Sequence, residues 1–133
     1  MSGSTPSADS NTQNPQAVMV ASSDETTVLT AGTGKTTFRM PYAFTVTGVR
    51  ATLTTAGTGV SLVTVDINES GTSILSTKIT IDASEKTSDT ATTPPVVSDT
   101  SLTNDSEITI DLDQIDTDNV ATGLKVYILG NPT

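Results

Sequence analysis

From Thr26 onward the chain breaks into short runs in which apolar and polar side chains alternate, punctuated by Gly, Pro, Asn and Asp. Period-two alternation puts every second residue on the same side of an extended backbone, so each run reads as a strand with one buried face. The clearest case is Ile108, Ile110 and Leu112, set against Glu107, Thr109, Asp111 and Asp113. Val63, Val65 and Ile67 likewise share a face, with Thr64, Asp66 and Asn68 on the other. Ile79 with Ile81, and Leu124 with Val126 and Ile128, mark two more strands. No stretch carries a convincing helical period.

The punctuation between these runs fixes the expected connections. Thr26 to Thr30 can open the sheet, Gly32-Thr33-Gly34 reads as a turn, and Thr37 to Met40 forms a strand that Pro41 ends or bends. Phe44 and Val46, then Val49, Ala51 and Leu53, change parity at Gly48, which predicts a bulge. Gly57-Thr58-Gly59 turns the chain, and Asn68-Glu69-Ser70-Gly71 is a hairpin loop into Thr72 to Leu75. Ser84 to Thr93 is polar and Pro94-Pro95 forbids regular pairing, so a long surface connection is expected there. Roughly seven or eight strands with frequent turns predict an all-β, antiparallel β-sandwich. The alternation of hairpins with long crossings favours a jelly roll over an immunoglobulin-like topology, with both left open.

Residues 1–24 are rich in Ser, Thr, Asn, Gln and Pro and offer little to bury, a composition that does not make a core. They are predicted to be an extended arm that anchors along a neighbouring subunit, with Pro15, Val18 and Val20 as contact residues, ahead of a sandwich domain over 25–133.

Composition narrows the picture. A length of 133 residues fits one domain. Hydrophobic residues make up 34% and aromatics 3%, with no Trp, so the core must be built from Val, Ile and Leu. Thr supplies roughly a fifth of the chain, and its stiff β-branched side chain suits a pleated, half-buried surface. The net charge of −9 repels phosphate and argues against a nucleic-acid partner. There is no Cys, hence no disulfide framework and no thiolate chemistry. The apolar run Ala17 to Ala21 is too short, and lacks the basic flank, for a signal peptide, and no run reaches membrane-spanning length. A soluble protein with no membrane partner is expected.

Candidate chemistry is sparse. Gly32-Thr33-Gly34-Lys35-Thr36-Thr37 resembles the end of a phosphate-binding loop, but Leu29 occupies the position of that pattern's first glycine and no helix follows. Asp111, Asp113, Asp116 and Asp118 could offer oxygen ligands to Ca²⁺, although the spacing lacks the central Gly and closing Glu of an EF-hand. The simpler reading makes Asp111 and Asp113 the solvent face of a strand and Asp116 to Asn119 a turn. Carboxylates at i and i+2 on a strand lie about 7 Å apart, within the range used by inverting glycosidases, yet any acidic strand produces that spacing. With neither His nor Cys there is no familiar base for a hydroxyl nucleophile, and a non-enzymatic role is expected. Arg39 and Arg50 on strand segments can pair with carboxylates inside the domain or across an interface, and Tyr42 can serve as core filler or interface anchor.

The run from Thr37 through Arg39, Pro41, Tyr42, Phe44 and Gly48 to Ala51, then Val65 to Asn68, Gly71 to Ile81 and Gly123 to Val126, resembles a β-sandwich module of tailed-bacteriophage virion proteins. That module occurs in head decoration or cement proteins and on head or tail appendages. The resemblance implies a virion structural protein that binds the major capsid protein on the outer surface of the head, self-associates as a homotrimer, and is assembled in the bacterial cytoplasm. It equally implies an alternative, a receptor- or glycan-binding module of a head fibre, tail fibre or spike.

Overall fold

The computed structural model describes residues 14–133, which form antiparallel β-sheets joined by loops and one 3₁₀ turn, with no α-helix among them. In chain order the strands are β1 (Gln16–Ala21), β2 (Gly32–Arg39), β3 (Phe44–Thr52), β4 (Val63–Glu69), β5 (Thr72–Ser73), β6 (Leu75–Thr77), β7 (Ile79–Ile81), β8 (Val96–Val97), β9 (Ser101–Leu102), β10 (Glu107–Gln114) and β11 (Lys125–Pro132). One sheet has the order β9-β3-β11-β1. The other runs β2-β10-β4-β5, with β7 also pairing β4, and β6 pairs β8 as a small separate ribbon. No helix among the described residues is long and apolar enough to cross a membrane.

The two larger sheets turn their apolar faces to one another, giving a β-sandwich-like core. From one come Phe44, Val46, Ala51, Leu102, Val126 and Ile128; from the other come Val63, Val65, Ile67, Ile79, Ile81, Ile108, Ile110 and Leu112. Alternation in the sequence therefore becomes alternation between core and surface, as in β10, where Ile108, Ile110 and Leu112 are buried. Burial of this aliphatic set is the main term holding the sheets together.

Several local predictions match the structure. The parity change at Gly48 is a bulge: Gly48 pairs with Leu129 and Val46 with Gly130, leaving Thr47 unpaired, so Val46 and Ala51 both face inward. The hairpin between β4 and β5 is closed by Ser70 and Gly71, both at positive φ, as a tight two-residue turn needs for its twist to match the strands. The polar stretch before Pro94-Pro95 is a long connection, and its 3₁₀ turn at Ser88–Thr90 is capped by the Thr87 hydroxyl.

Two expectations fail. The boundary between arm and domain does not lie at 24/25, because Gln16–Ala21 is a strand hydrogen-bonded along β11 from Lys125 to Gly130. The arm's polar composition masks a short alternation of its own, in which Gln16, Val18 and Val20 face inward and Ala17, Met19 and Ala21 face out. The expected arm over residues 1–13 lies outside the described residues. Secondly, Gly32-Thr33-Gly34 is not a turn but the start of β2, and Val28 makes only an isolated bridge to Thr122. Gly34 adopts positive φ where the pairing register shifts between Ile110 and Leu112, so this glycine bends a strand instead of reversing it.

Candidate functional site

Three loops meet at one end of the sandwich: 22–31, 53–62 and 115–124. Asp116 holds two of them together. Its buried carboxylate accepts N–H bonds from Thr58 at 3.2 Å, Val120 at 3.0 Å and Ala121 at 3.3 Å. Burial by itself raises the pKa of this group, but the amides of Val120, Thr58 and Ala121 outweigh it and hold the carboxyl below its ordinary value. Next to it, Thr117 Oγ1 accepts from Val60 and Ser61, and Asp118 accepts from the Thr58 hydroxyl at 2.8 Å. Gly57 is required here, since a Cβ would stand 2.6 Å from Cβ of Asp116. The turn expected at Asp116 to Asn119 is present, but the burial of Asp116 depends on the 53–62 loop and was not visible in the local sequence.

A second polar group lies on the outward side of β4 and β10. Asp66 and Asp111 face one another across the strand pair. Like charges so placed are unfavourable unless each finds donors. Both do: Asp66 Oδ1 accepts from the Ser73 hydroxyl at 2.5 Å and the Ile67 amide at 2.9 Å, and Asp111 accepts from the Gly34 amide at 2.8 Å and Asn68 Nδ2 at 2.9 Å. Asp66 and Asn68 are buried, against the expectation of a solvent face, because neighbours on β5 and β10 engage their side chains. Asp113 pairs with Lys78 at 2.5 Å, and that hydrogen bond raises the ammonium pKa. This network ties β2, β10, β4 and β5 into register.

The four aspartates considered as calcium ligands are therefore dispersed: Asp111 and Asp113 lie on the sheet, Asp116 inside the loop end, and Asp118 on Thr58. Among the described residues no group of three or more His, Cys, Asp or Glu is placed to hold a metal ion. The Asp111 and Asp113 side chains have separate partners, Gly34 and Asn68 for the one and Lys78 for the other.

The residues considered as interface contacts separate into groups. Tyr42 is 39% exposed, and its hydroxyl donates to Gln16 Oε1, which brings it beside Pro15 at the entry to β1. Arg39 ends β2 opposite Glu107 on β10 and donates to the Asp105 carbonyl at 2.9 Å. Arg50 lies elsewhere, opposite Tyr127 on the outward face of β3, and pairs with Asp89 at 3.1 Å. Val18 packs against the domain's own core and Val20 shares its inward face.

A shallow hollow of about 250 Å³ is lined by Ser22, Ser23, Asp24, Thr27, Leu29 and Lys35, among others. Lys35 donates to Thr30 Oγ1, and Asp24 accepts from the amides of Thr26 and Thr27 and the Thr27 hydroxyl, which keep its pKa low. Hydroxyls and one ammonium face a small volume with no aromatic wall. Comparison with known protein families, curated proteins and solved structures finds no match.

Proposed function

We propose that this chain is a virion structural protein of a tailed bacteriophage, a decoration protein that docks on the outer surface of the head and stabilises contacts between major capsid protein subunits. The reading rests on the resemblance of the Thr37 to Ala51 run and its companions, and one structural observation supports it. The resembling segments supply the end of β2, then β3, most of β4, β5, β6, β7 and the start of β11, so they contribute strands to both larger sheets. A module of that kind contributes by adding buried interface between shell subunits.

We further read the sandwich as a jelly roll. Apart from the β4–β5 hairpin and β7, which share a sheet, its strands cross between sheets as the chain proceeds, with β1, β3, β9 and β11 in one and β2, β4, β5, β7 and β10 in the other, and β1 and β2 lie at the edges of their respective sheets. An immunoglobulin-like domain does not distribute consecutive strands in this way.

The test is the copy number of the chain on gradient-purified virions by quantitative mass spectrometry. Hundreds of copies per particle, together with heads that burst at lower temperature when the protein is missing, are expected. Absence from particles, or shells unchanged by its removal, refutes the role. The hollow beside Lys35 favours one second reading, receptor or glycan binding from an appendage, since clustered hydroxyls suit a polyhydroxylated ligand. A few copies per particle combined with reproducible signal on a glycan array would establish that reading instead.

A further inference from the structure

The hollow beside Lys35 lies where β1 runs out into the 22–31 loop and β2 passes close by, the Thr36 hydroxyl donating to the Ala21 carbonyl. It holds a polar group that the fold leaves unpaired. Ser22 forms part of its wall and is only 6% exposed, and its Oγ has no hydrogen-bond partner among the described residues. Burying a hydroxyl without a partner is costly, and folded proteins rarely do it. The neighbouring groups are satisfied. Ser23 Oγ donates to the Asp24 carbonyl at 2.9 Å and accepts from the Leu124 amide at 2.9 Å, and the Asp24 carboxylate accepts from the amides of Thr26 and Thr27 and from the Thr27 hydroxyl.

Lys35 adds further donors. Its ammonium carries three N–H groups and donates to Thr30 Oγ1 at 2.9 Å, and among the described residues no carboxylate lies within ion-pair distance of it, whereas Arg50, Lys78 and Lys125 are each paired. The Thr30 hydroxyl, having accepted from Lys35, keeps its own hydrogen to donate. Val28, 40% exposed, adds an apolar contact to the same wall. The volume of about 250 Å³ is smaller than the range of about 300–1,000 Å³ that encloses a drug-sized molecule, so the hollow admits one small unit.

We infer that this hollow binds a single carboxylate-bearing sugar unit, with the carboxylate on Lys35 and Thr30, a ring hydroxyl on Ser22 and the apolar edge of the ring against Val28. Spare donors select an acceptor, and a carboxylate accepts from an ammonium and a hydroxyl at once through charge-assisted bonds. A plain carboxylate leaves the Ser22 hydroxyl and Val28 without contact. A neutral sugar forgoes the charge-assisted bonds. The bound unit gives the Ser22 hydroxyl the partner that the fold withholds. The inference rests on the reading of the hollow as a glycan site and not on the decoration role.

The experiment is a titration of the full chain with glucuronate, galacturonate, glucose and acetate in turn at constant ionic strength, read by amide chemical shifts. At least one uronate is expected to move the amides of Ser22 to Thr30 and of Lys35 with a dissociation constant of about 1 mM, and to bind about tenfold more tightly than glucose or acetate. Lys35→Met, at an exposed position, should weaken that uronate about tenfold, to the level of glucose, with thermal unfolding unchanged. Ser22→Ala should weaken the uronate and glucose alike without lowering the unfolding midpoint, because the deleted hydroxyl has no partner in the fold. Glucose binding as tightly as both uronates overturns the inference and leaves the glycan reading standing. Acetate binding as tightly overturns the assignment to a sugar. No shift around the hollow with any of the four overturns the inference and the glycan reading together, and uronate binding undiminished by Lys35→Met or by Ser22→Ala overturns the inference alone.

Discussion

Asp116 gives the most demanding test of how the loop end is built. Replacing it by Ala removes the acceptor for three amides, those of Thr58, Val120 and Ala121, at a site where the carboxylate is only 3% exposed. A buried donor left without a partner costs about 1–3 kcal/mol. Relaxation will let water reach some of the three, so a total loss of about 3 kcal/mol is expected. At about 4 °C per kcal/mol for a domain of this size, the midpoint should fall by roughly 12 °C. Asp116→Asn keeps the shape and one acceptor oxygen but loses the charge-assisted part, and about half the effect is expected. The pH dependence has a definite sign. The folded-state pKa of Asp116 is depressed, so its contribution is present above the unfolded value near 4 and is lost as pH falls through the folded value. Parent and Asn variant should therefore differ most at neutral pH and converge as the solution is acidified towards pH ~2. Thermal unfolding by circular dichroism at several pH values measures this. An Ala variant within about 1 kcal/mol of the parent, or a gap between parent and Asn variant that widens on acidification, would refute the account.

Three other substitutions probe different terms. Gly130→Ala would put a Cβ 1.9 Å from the Thr45 carbonyl oxygen and 2.8 Å from the Phe44 ring, so β11 must shift away from β3; a loss of about 3 kcal/mol or more, or failure to fold, is expected in denaturant titration. Ile110→Ala opens a cavity at a fully buried position in the middle of β10 and should cost about 2–5 kcal/mol in the same assay. Lys78→Ala breaks the pair with Asp113, but the lysine side chain is 47% exposed, and a change below about 1 kcal/mol that shrinks further in high salt is expected.

The strands that alternate cleanly, β4, β10 and β11, were legible because their period belongs to the residues themselves. The bulge at Gly48 was legible for the same reason: a parity change requires an extra residue, and glycine accommodates it. What the sequence concealed depended on partners distant in the chain. Gly34 reads as a turn residue until the Asp111 side chain is seen to accept its amide from the neighbouring strand. Val18 and Val20 read as arm residues until β11 is found alongside them, more than a hundred positions later. Asp66 and Asn68 read as the polar face of a strand and Asp116 as part of a turn, and their burial stayed hidden because polarity alone cannot distinguish a hydrated side chain from one that amides and hydroxyls have enclosed. Asp111, Asp113, Asp116 and Asp118 show that closeness in sequence is not closeness in space, since strand and loop end carry them to different partners.

These misreadings bear on where function can reside. Asp66, Asp111 and Asp116 each accept hydrogen bonds from their own domain, so the acidic character of the chain is partly structural. Groups that lack a partner among the described residues include the buried Ser22 and Thr122 hydroxyls and Asn131 Oδ1, whereas the outer side of β1 is engaged where the Ala21 carbonyl accepts from the Thr36 hydroxyl. Val18 on β1 packs against the core, so the stability of the domain responds to β1 as well as to the aliphatic core and to Asp116.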